Sequence, residues 1–153
     1  MSLRYKRLIY FFSIVISLTL FSFVLKYLTL SYFPLNGTFD GKFFTLYYLK
    51  NTGAAFSLFQ NNTLFLIIIT ILLLLTGLVW IFKNINKLSF LSLTALTLLY
   101  SGVLGNLYER LVYGGVIDFF KLKFINFPVF NYFDILITIG IVLLIIRILI
   151  KNE

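Results

Sequence analysis

Four runs of about twenty apolar residues dominate this chain and leave one class of fold open to it. They cover Leu8 to Leu30, Thr63 to Phe82, Leu88 to Leu107 and Phe133 to Ile150, each long enough as a helix to cross a hydrocarbon core of about 30 Å. In lipid every backbone N–H and C=O needs a partner within the spanning structure, which a helix supplies to itself. The sequence therefore predicts a mainly α membrane protein, a four-transmembrane-helix bundle forming one domain over residues 1–153. Composition agrees: 61% hydrophobic residues and a mean hydropathy of +1.02 lie outside the range of soluble globular chains. The first run is too long for a signal-peptide core and lacks a clear small-x-small cleavage site, so it reads as a retained helix.

The net charge of +8 does not indicate a nucleic-acid partner, because the basic residues stand singly between apolar runs and form no stripe. They report topology instead. Arg4, Lys6 and Arg7 precede helix 1, Lys83 and Lys87 fill the turn between helices 2 and 3, and Arg147 and Lys151 close helix 4. With an even number of spans, the positive-inside rule places both termini and that turn in the cytoplasm. The acids Asp40, Glu109, Asp118 and Asp134 then fall in or beside two outer segments, 31–62 and 108–132.

The first outer segment carries Phe39-Asp40-Gly41-Lys42 and then an aromatic run from Phe43 to Tyr48. Asp-Gly between β-formers predicts a hairpin, and the Phe and Tyr side chains suit a small extracytoplasmic sheet resting on the membrane interface. The second, a short outer loop, has Gly114-Gly115, a β-like stretch Val116 to Phe120, and Pro128.

The chain contains no cysteine and no histidine. Thiolate and imidazole chemistry are excluded, as are metals held by either, and an enzyme built on this chain must take its acid and base from carboxylates, Lys or Tyr. Asp118 lies in Val116-Ile-Asp-Phe-Phe120, between large apolar neighbours that raise a carboxyl pKa. Asp134 follows sixteen residues later at the start of helix 4, on the same side of the membrane. Two carboxylates at close range share a proton; one then takes a proton from water while the other protonates a peptide carbonyl. Simpler roles stand beside this one. Asp134, three residues after Asn131, would complement the positive end of helix 4, and Asp118 would pair with Arg110, Lys121 or Lys123 at the surface.

Asn51-Thr-Gly-Ala-Ala-Phe-Ser57 combines an amide with small residues that permit close backbone approach, or is a turn entering helix 2. Gly102 and Gly105 permit close helix packing, and Asn106 and Arg110 are too polar for lipid and face inward. Lys26, near the outer end of helix 1, is expected to snorkel to the interface. Two other functions compete with catalysis. A proton or ion conductor needs polar groups through the bilayer depth, whereas these acids cluster at one face and helices 2 and 4 offer only Thr and Gly near the midplane. A structural assembly subunit would use the two Asp residues for ion pairs alone.

Taken in order, Asn51-Thr-Gly-Ala-Ala-Phe-Ser57, Gly105-Asn-Leu-Tyr-Glu-Arg110, Val116-Ile-Asp-Phe119 and Phe130-Asn-Tyr-Phe-Asp134 resemble the signature segments of the lipoprotein signal peptidase family, also called signal peptidase II, across nearly the whole chain. The resemblance implies an aspartic endopeptidase of the bacterial inner membrane that cuts the signal peptide from diacylglyceryl-modified prolipoproteins just before the lipidated cysteine. It implies Asp118 and Asp134 as the catalytic dyad, and Asn51, Gly53, Asn106, Arg110 and Asn131 as residues that line and order the substrate site. No metal and no organic cofactor are expected; the partners are the lipidated prolipoprotein and membrane lipid, and the chain is expected to act as a monomer. Two positions depart from the family pattern, Glu109 where Asp is usual before the arginine and Ser22 where Asp is usual four residues before the helix 1 lysine. Glu109 keeps the charge, so a contact with Arg110 is expected to persist with altered geometry. The outer sheet is expected to clamp the substrate and gate its entry.

Overall fold

The structure, a computed structural model, describes residues 1–32, 38–54 and 58–151, with the side chain of residue 151 excepted; Ala55-Phe56-Ser57 of the Asn51 motif and residues 33–37 of the first outer segment lie outside the described residues. Four helices and three strands follow in the order α1 (Leu3–Tyr32), β1 (Phe39–Asp40), β2 (Phe44–Asn51), α2 (Thr63–Asn84), α3 (Phe90–Tyr113), β3 (Val116–Leu122) and α4 (Tyr132–Lys151). All four helices are long and apolar enough to span a membrane. Most large apolar side chains on α2, Ile68, Leu72 and Leu73 among them, are exposed on the bundle surface, as a lipid-facing helix requires.

α3 ends six residues beyond the predicted boundary at Leu107. The fall in hydropathy at Asn106, Glu109 and Arg110 reads as a helix end, but these side chains turn inward, and α3 is the most buried of the four spans. It stops where Gly114 adopts a left-handed conformation (φ 66°) and its N–H caps the Arg110 carbonyl, a close that glycine makes without steric cost. α1 likewise begins five residues early and takes in Arg4, Lys6 and Arg7. Arg7 Nη1 donates to the carbonyls of Ile85 (2.6 Å) and Leu88 (2.8 Å), and Arg147 Nε to Ser89 Oγ (3.0 Å). The basic residues of three helices and one turn thus gather at one end of the bundle, where Phe11, Val15, Ile81, Ile85 and Leu93 form its core.

The opposite end carries the sheet. β1 and β2 form the expected hairpin around Gly41, and β3 adds antiparallel to β2, so that the two outer segments make one three-stranded sheet in the order β1-β2-β3. Lys123 ties its far corner to Asp40 Oδ1 (2.8 Å) and holds that carboxyl below its ordinary value, mainly by this hydrogen bond. Both side chains are exposed, so the tie fixes register and adds little stability.

α3 and α4 approach closely because Gly102 and Gly105 present no side chain. A Cβ at Gly102 would meet the Phe133 carbonyl and Ile137; one at Gly105 would fall on the Phe133 ring, which is fully buried. The Gly105→Ala variant is expected to lose about 1–3 kcal/mol of stability through overpacking, read as a lower unfolding temperature in detergent.

Candidate active site

Asp118 owes its direction to an irregular ladder. In β2, Leu46 lies opposite Phe120 and Leu49 opposite Asp118, so that Tyr47 and Tyr48 together oppose Phe119. Such a bulge shifts the alternation of side chains by one residue. Its consequence is that Leu46 and Asn51, five positions apart in sequence, both lie on the face of Asp118 and Phe120. Asn51 is the diagonal neighbour of Asp118 and donates Nδ2 to Asp118 Oδ2 (3.1 Å). The Asn51 side chain is itself fixed, because its Oδ1 accepts the Gly53 N–H (2.9 Å). Gly53 is buried, and a Cβ there would lie 2.8 Å from the Leu58 carbonyl. Its own carbonyl accepts Arg110 Nη2 (2.9 Å).

Asp134 stands in the first turn of α4 within a capping box. Asn131 Oδ1 accepts the N–H groups of Phe133 (2.7 Å) and Asp134 (3.2 Å), and Asp134 Oδ2 accepts the Asn131 N–H in return (3.0 Å). The helix-capping role considered for Asp134 is therefore present, yet it occupies one oxygen only. The other, Oδ1, accepts Asn106 Nδ2 (2.8 Å) from α3.

Asn131 joins the two carboxylates. Fully buried, it donates Nδ2 to Asp118 Oδ1 (2.7 Å) and to Asn106 Oδ1 (3.1 Å), while its main-chain N–H holds Asp134. Each of the four carboxylate oxygens thus accepts one amide N–H, and the set of bonds fixes the orientation of all three asparagines. The surface pairing considered for Asp118 does not occur: Lys123 binds Asp40 and Lys121 is exposed. Burial, and next the negative charge of Asp134, push the Asp118 carboxyl up from 3.8 to about 7, against the opposing pull of Asn51 and Asn131.

Beside this pair lies a cavity of about 410 Å³. Asn51, Asn106, Arg110 and Asp134 form its polar end; Phe127 to Phe130 and the α4 residues Ile135 and Ile139 form apolar walls. Arg110 also reaches the Asn106 carbonyl (3.4 Å), and its Nε is buried without a hydrogen-bond partner among the described residues. Gly53 and Asn131, expected with the others to line and order the site, lie behind the lining, as does Asp118: Gly53 fixes Asn51, and Asn131 fixes Asn106 and Asp134, which face the cavity, and Asp118, which does not.

Two expectations are corrected. Lys26 does not snorkel: it is 5% exposed and pairs with Glu109, which is 1% exposed. A charge about two turns inside the end of an apolar helix reaches the interface only if no partner lies closer, and here the polar end of α3 supplies one. Glu109 in turn does not contact Arg110; its second oxygen accepts the Ile117 N–H (2.8 Å). Adjacent residues on a helix point about 100° apart, which separates the two side chains. Ser22 is buried on α1.

Residues 14–150 match the family model described as signal peptidase (SPase) II. The chain is 41% identical over 109 residues to the lipoprotein signal peptidase of Lactococcus lactis subsp. lactis strain IL1403, covering 71% of each chain. It is 44% identical over 110 residues to that of Streptococcus thermophilus strain CNRZ 1066, covering 72% of this chain and 71% of the relative. Two solved structures described as bacterial membrane enzymes, determined by the in meso method at 2.3 and 1.9 Å resolution, share the fold. The first superposes with a TM-score of 0.82 at 30% identity, covering 94% of this chain and 89% of the other; the second with 0.77 at 31%, covering 91% and 92%. An apolar four-helix bundle with buried carboxylates at one end, matched along nearly its whole length by the family model and over more than two thirds of it by these relatives, belongs to the signal peptidase II family: the chain is a multi-pass membrane peptidase that removes signal peptides from lipoproteins.

Proposed function

We propose that the chain is an aspartic endopeptidase in which Asp118 and Asp134 activate water to cut a diacylglyceryl-modified prolipoprotein just before its lipidated cysteine. The observation that carries this reading is the pair of carboxylates bridged by Asn131, one of which, Asp134, lines an apolar cavity while Asp118 lies buried just behind its lining. The pair holds one proton. Asp118, pushed up to about 7, carries it near neutral pH, and ionised Asp134 takes a proton from water. The water oxygen attacks the scissile carbonyl carbon while Asp118 protonates the carbonyl oxygen. As the tetrahedral centre collapses, the C–N bond breaks, Asp134 passes its proton to the leaving amine, and the hydroxyl formed from the carbonyl oxygen returns its proton to Asp118.

Asn51, Gly53, Asn106 and Asn131 hold the dyad, and the buried Arg110 Nε is a donor for a substrate carbonyl. The apolar walls suit a substrate that stays in the bilayer. The clustered basic end supports cytoplasmic termini in a bacterial inner membrane, with the sheet and dyad near its outer face. The outer sheet would clamp the substrate there, and the enzyme would work as a monomer in contact with membrane lipid.

The test is cleavage of a diacylglyceryl-modified prolipoprotein peptide by purified protein, beside the same peptide with an unmodified cysteine. Mass spectrometry should find one cut, immediately before the cysteine, in the lipidated peptide alone. A cut elsewhere, or equal cutting of both peptides, would overturn the substrate reading.

The pH dependence has a definite sign. Above about 7 the shared proton is lost, so turnover is expected to fall as the pH rises through neutrality, read from initial rates between pH 5 and 9. Stability follows the same proton. The folded state holds it up to about 7 and the unfolded carboxyl only to 3.8, so this group's contribution declines as pH rises across that window.

A further inference from the structure

We infer that the buried Lys26–Glu109 pair is a backbone clamp on Ile117 that positions Asp118 of the dyad, an inference that rests on the peptidase reading above. β3 is an edge strand: β2 pairs with one side of it. On its free side, Glu109 Oε2 accepts the Ile117 N–H (2.8 Å) and Lys26 Nζ donates to the Ile117 carbonyl (2.6 Å), while Nζ and Oε1 are paired with each other. The next outward-facing group, the Phe119 N–H, is held by the Phe130 carbonyl (3.1 Å). Asp118 is therefore suspended between two fixed points of the free edge. Lys26 Nζ also lies over the rings of Phe119 (5.7 Å) and Phe133 (5.9 Å), the residues that adjoin Asp118 and Asp134. One ammonium thus touches the chain beside each member of the dyad.

A pair that only joined α1 to α3 would have no need of the Ile117 peptide groups. A strand edge left open beside the dyad would let Asp118 drift, and an error of about 1 Å in a reacting group costs about a hundredfold in rate. Lys26 and Glu109 are positioning residues in this account, acting through Ile117 and never on substrate.

Two double variants separate the clamp from the helix tie. Lys26→Met with Glu109→Leu removes both the charges and the bonds to Ile117. Lys26→Met with Glu109→Gln removes the charges and the interhelical pair, but leaves a carboxamide that can accept the Ile117 N–H and donate to its carbonyl. The Met/Leu variant is expected to lose about 30-fold in kcat with little change in KM, and the midpoint of its basic pH limb should move by about half a unit. The Met/Gln variant should recover at least about tenfold of that loss. A Met/Leu variant with parental kcat and pH profile would overturn the inference, as would a Met/Gln variant no better than Met/Leu.

Exchange of the Ile117 amide hydrogen gives a second readout: slow in the parent and Met/Gln, fast in Met/Leu. If the Met/Leu protein does not fold, slow Ile117 exchange with recovered kcat in Met/Gln supports the clamp, and fast exchange with kcat lost overturns it. A parent that cleaves nothing would sink the peptidase reading. The clamp would then stand or fall on Ile117 exchange alone.

Discussion

Asp118→Asn and Asp134→Asn should each reduce prolipoprotein cleavage by about a thousandfold or more, because removing one member of a catalytic unit costs nearly as much as removing all of it. Neither change should unfold the protein. Asparagine keeps the carboxylate's shape and retains one of its two hydrogen bonds; the other is lost where an amide NH2 meets the amide donor of Asn51, Asn106 or Asn131. Against that loss, Asp118→Asn removes the conflict that pushes the Asp118 carboxyl up to about 7, chiefly burial and then the charge of Asp134. The stability difference between Asp118→Asn and the parent should therefore grow in the variant's favour as the pH rises from 5 to 8, where the parent must ionise the buried group and the variant has nothing to ionise. Paired measurements decide the matter: initial rates of cleavage, and unfolding temperatures at the two pH values. A variant retaining a tenth of parental turnover, or an unfolding temperature insensitive to pH in both proteins, would remove the dyad from the mechanism. Lost activity with undiminished stability is the expected mark of a site in which charge is held at a cost to the fold.

The parts of the fold that follow from one-dimensional pattern were legible in the sequence. Four apolar runs gave four helices, because lipid demands a self-satisfied backbone whatever the neighbours do, and Asp40-Gly41 gave a hairpin, because a tight turn is local chemistry. What was not legible is how far a polar helix end runs. Asn106 and Arg110 were expected to face inward and do, yet with Glu109 they lower hydropathy as a loop would, and the helix continues past Leu107 to Tyr113. The addition of β3 to the hairpin is also invisible in sequence, since it joins residues about seventy positions apart through a ladder whose register shifts at Tyr47 and Tyr48.

The site divides along the same line. Asp118 and Asp134 could be singled out because the chain has no cysteine or histidine and only five acidic residues, and the order of the asparagine-containing segments supplied the rest of the polar set. Their wiring could not. That one asparagine both caps α4 and binds Asp118, and that Glu109 reaches Lys26 instead of Arg110, are facts of three-dimensional placement. A signal for the Lys26 pairing does exist in the sequence: a lysine and a glutamate in two otherwise apolar spans are each costly in lipid unless they meet. The cavity wall had a signal as well, since Phe124-Ile-Asn-Phe-Pro-Val-Phe130 is too apolar for a solvated loop.

Replacement of Asn131 is expected to have the next largest effect, and the choice of replacement separates its two tasks. Its Oδ1 caps the first turn of α4 at Phe133 and Asp134, and its Nδ2 binds Asp118 and Asn106. Serine is as good a helix cap as asparagine, and its main chain still donates to Asp134, but its side chain is too short to reach Asp118. Asn131→Ser should therefore fold with a stability within about 1 kcal/mol of the parent, while kcat falls about a hundredfold as the two carboxylates lose the group that sets their spacing. Since the Asn131 bond lowers the Asp118 pKa, its loss should also move the basic limb of the pH profile upward. Asn131→Leu removes the cap as well and leaves buried N–H groups of α4 unpaired, at about 1–3 kcal/mol for each such group, so the leucine variant should lose both turnover and stability. Rates, pH profiles and unfolding temperatures of the pair test each limb. A serine variant with parental kcat would mean that the dyad holds its geometry without the bridge, and that Asn131 serves the helix alone. A serine variant as unstable as the leucine variant would mean that the buried amide network, more than the cap, holds α4 against β3. Only the combination of intact stability, lost turnover and a raised pH limb assigns Asn131 to the chemistry, because no cap by itself can move the protonation of a carboxylate on another element.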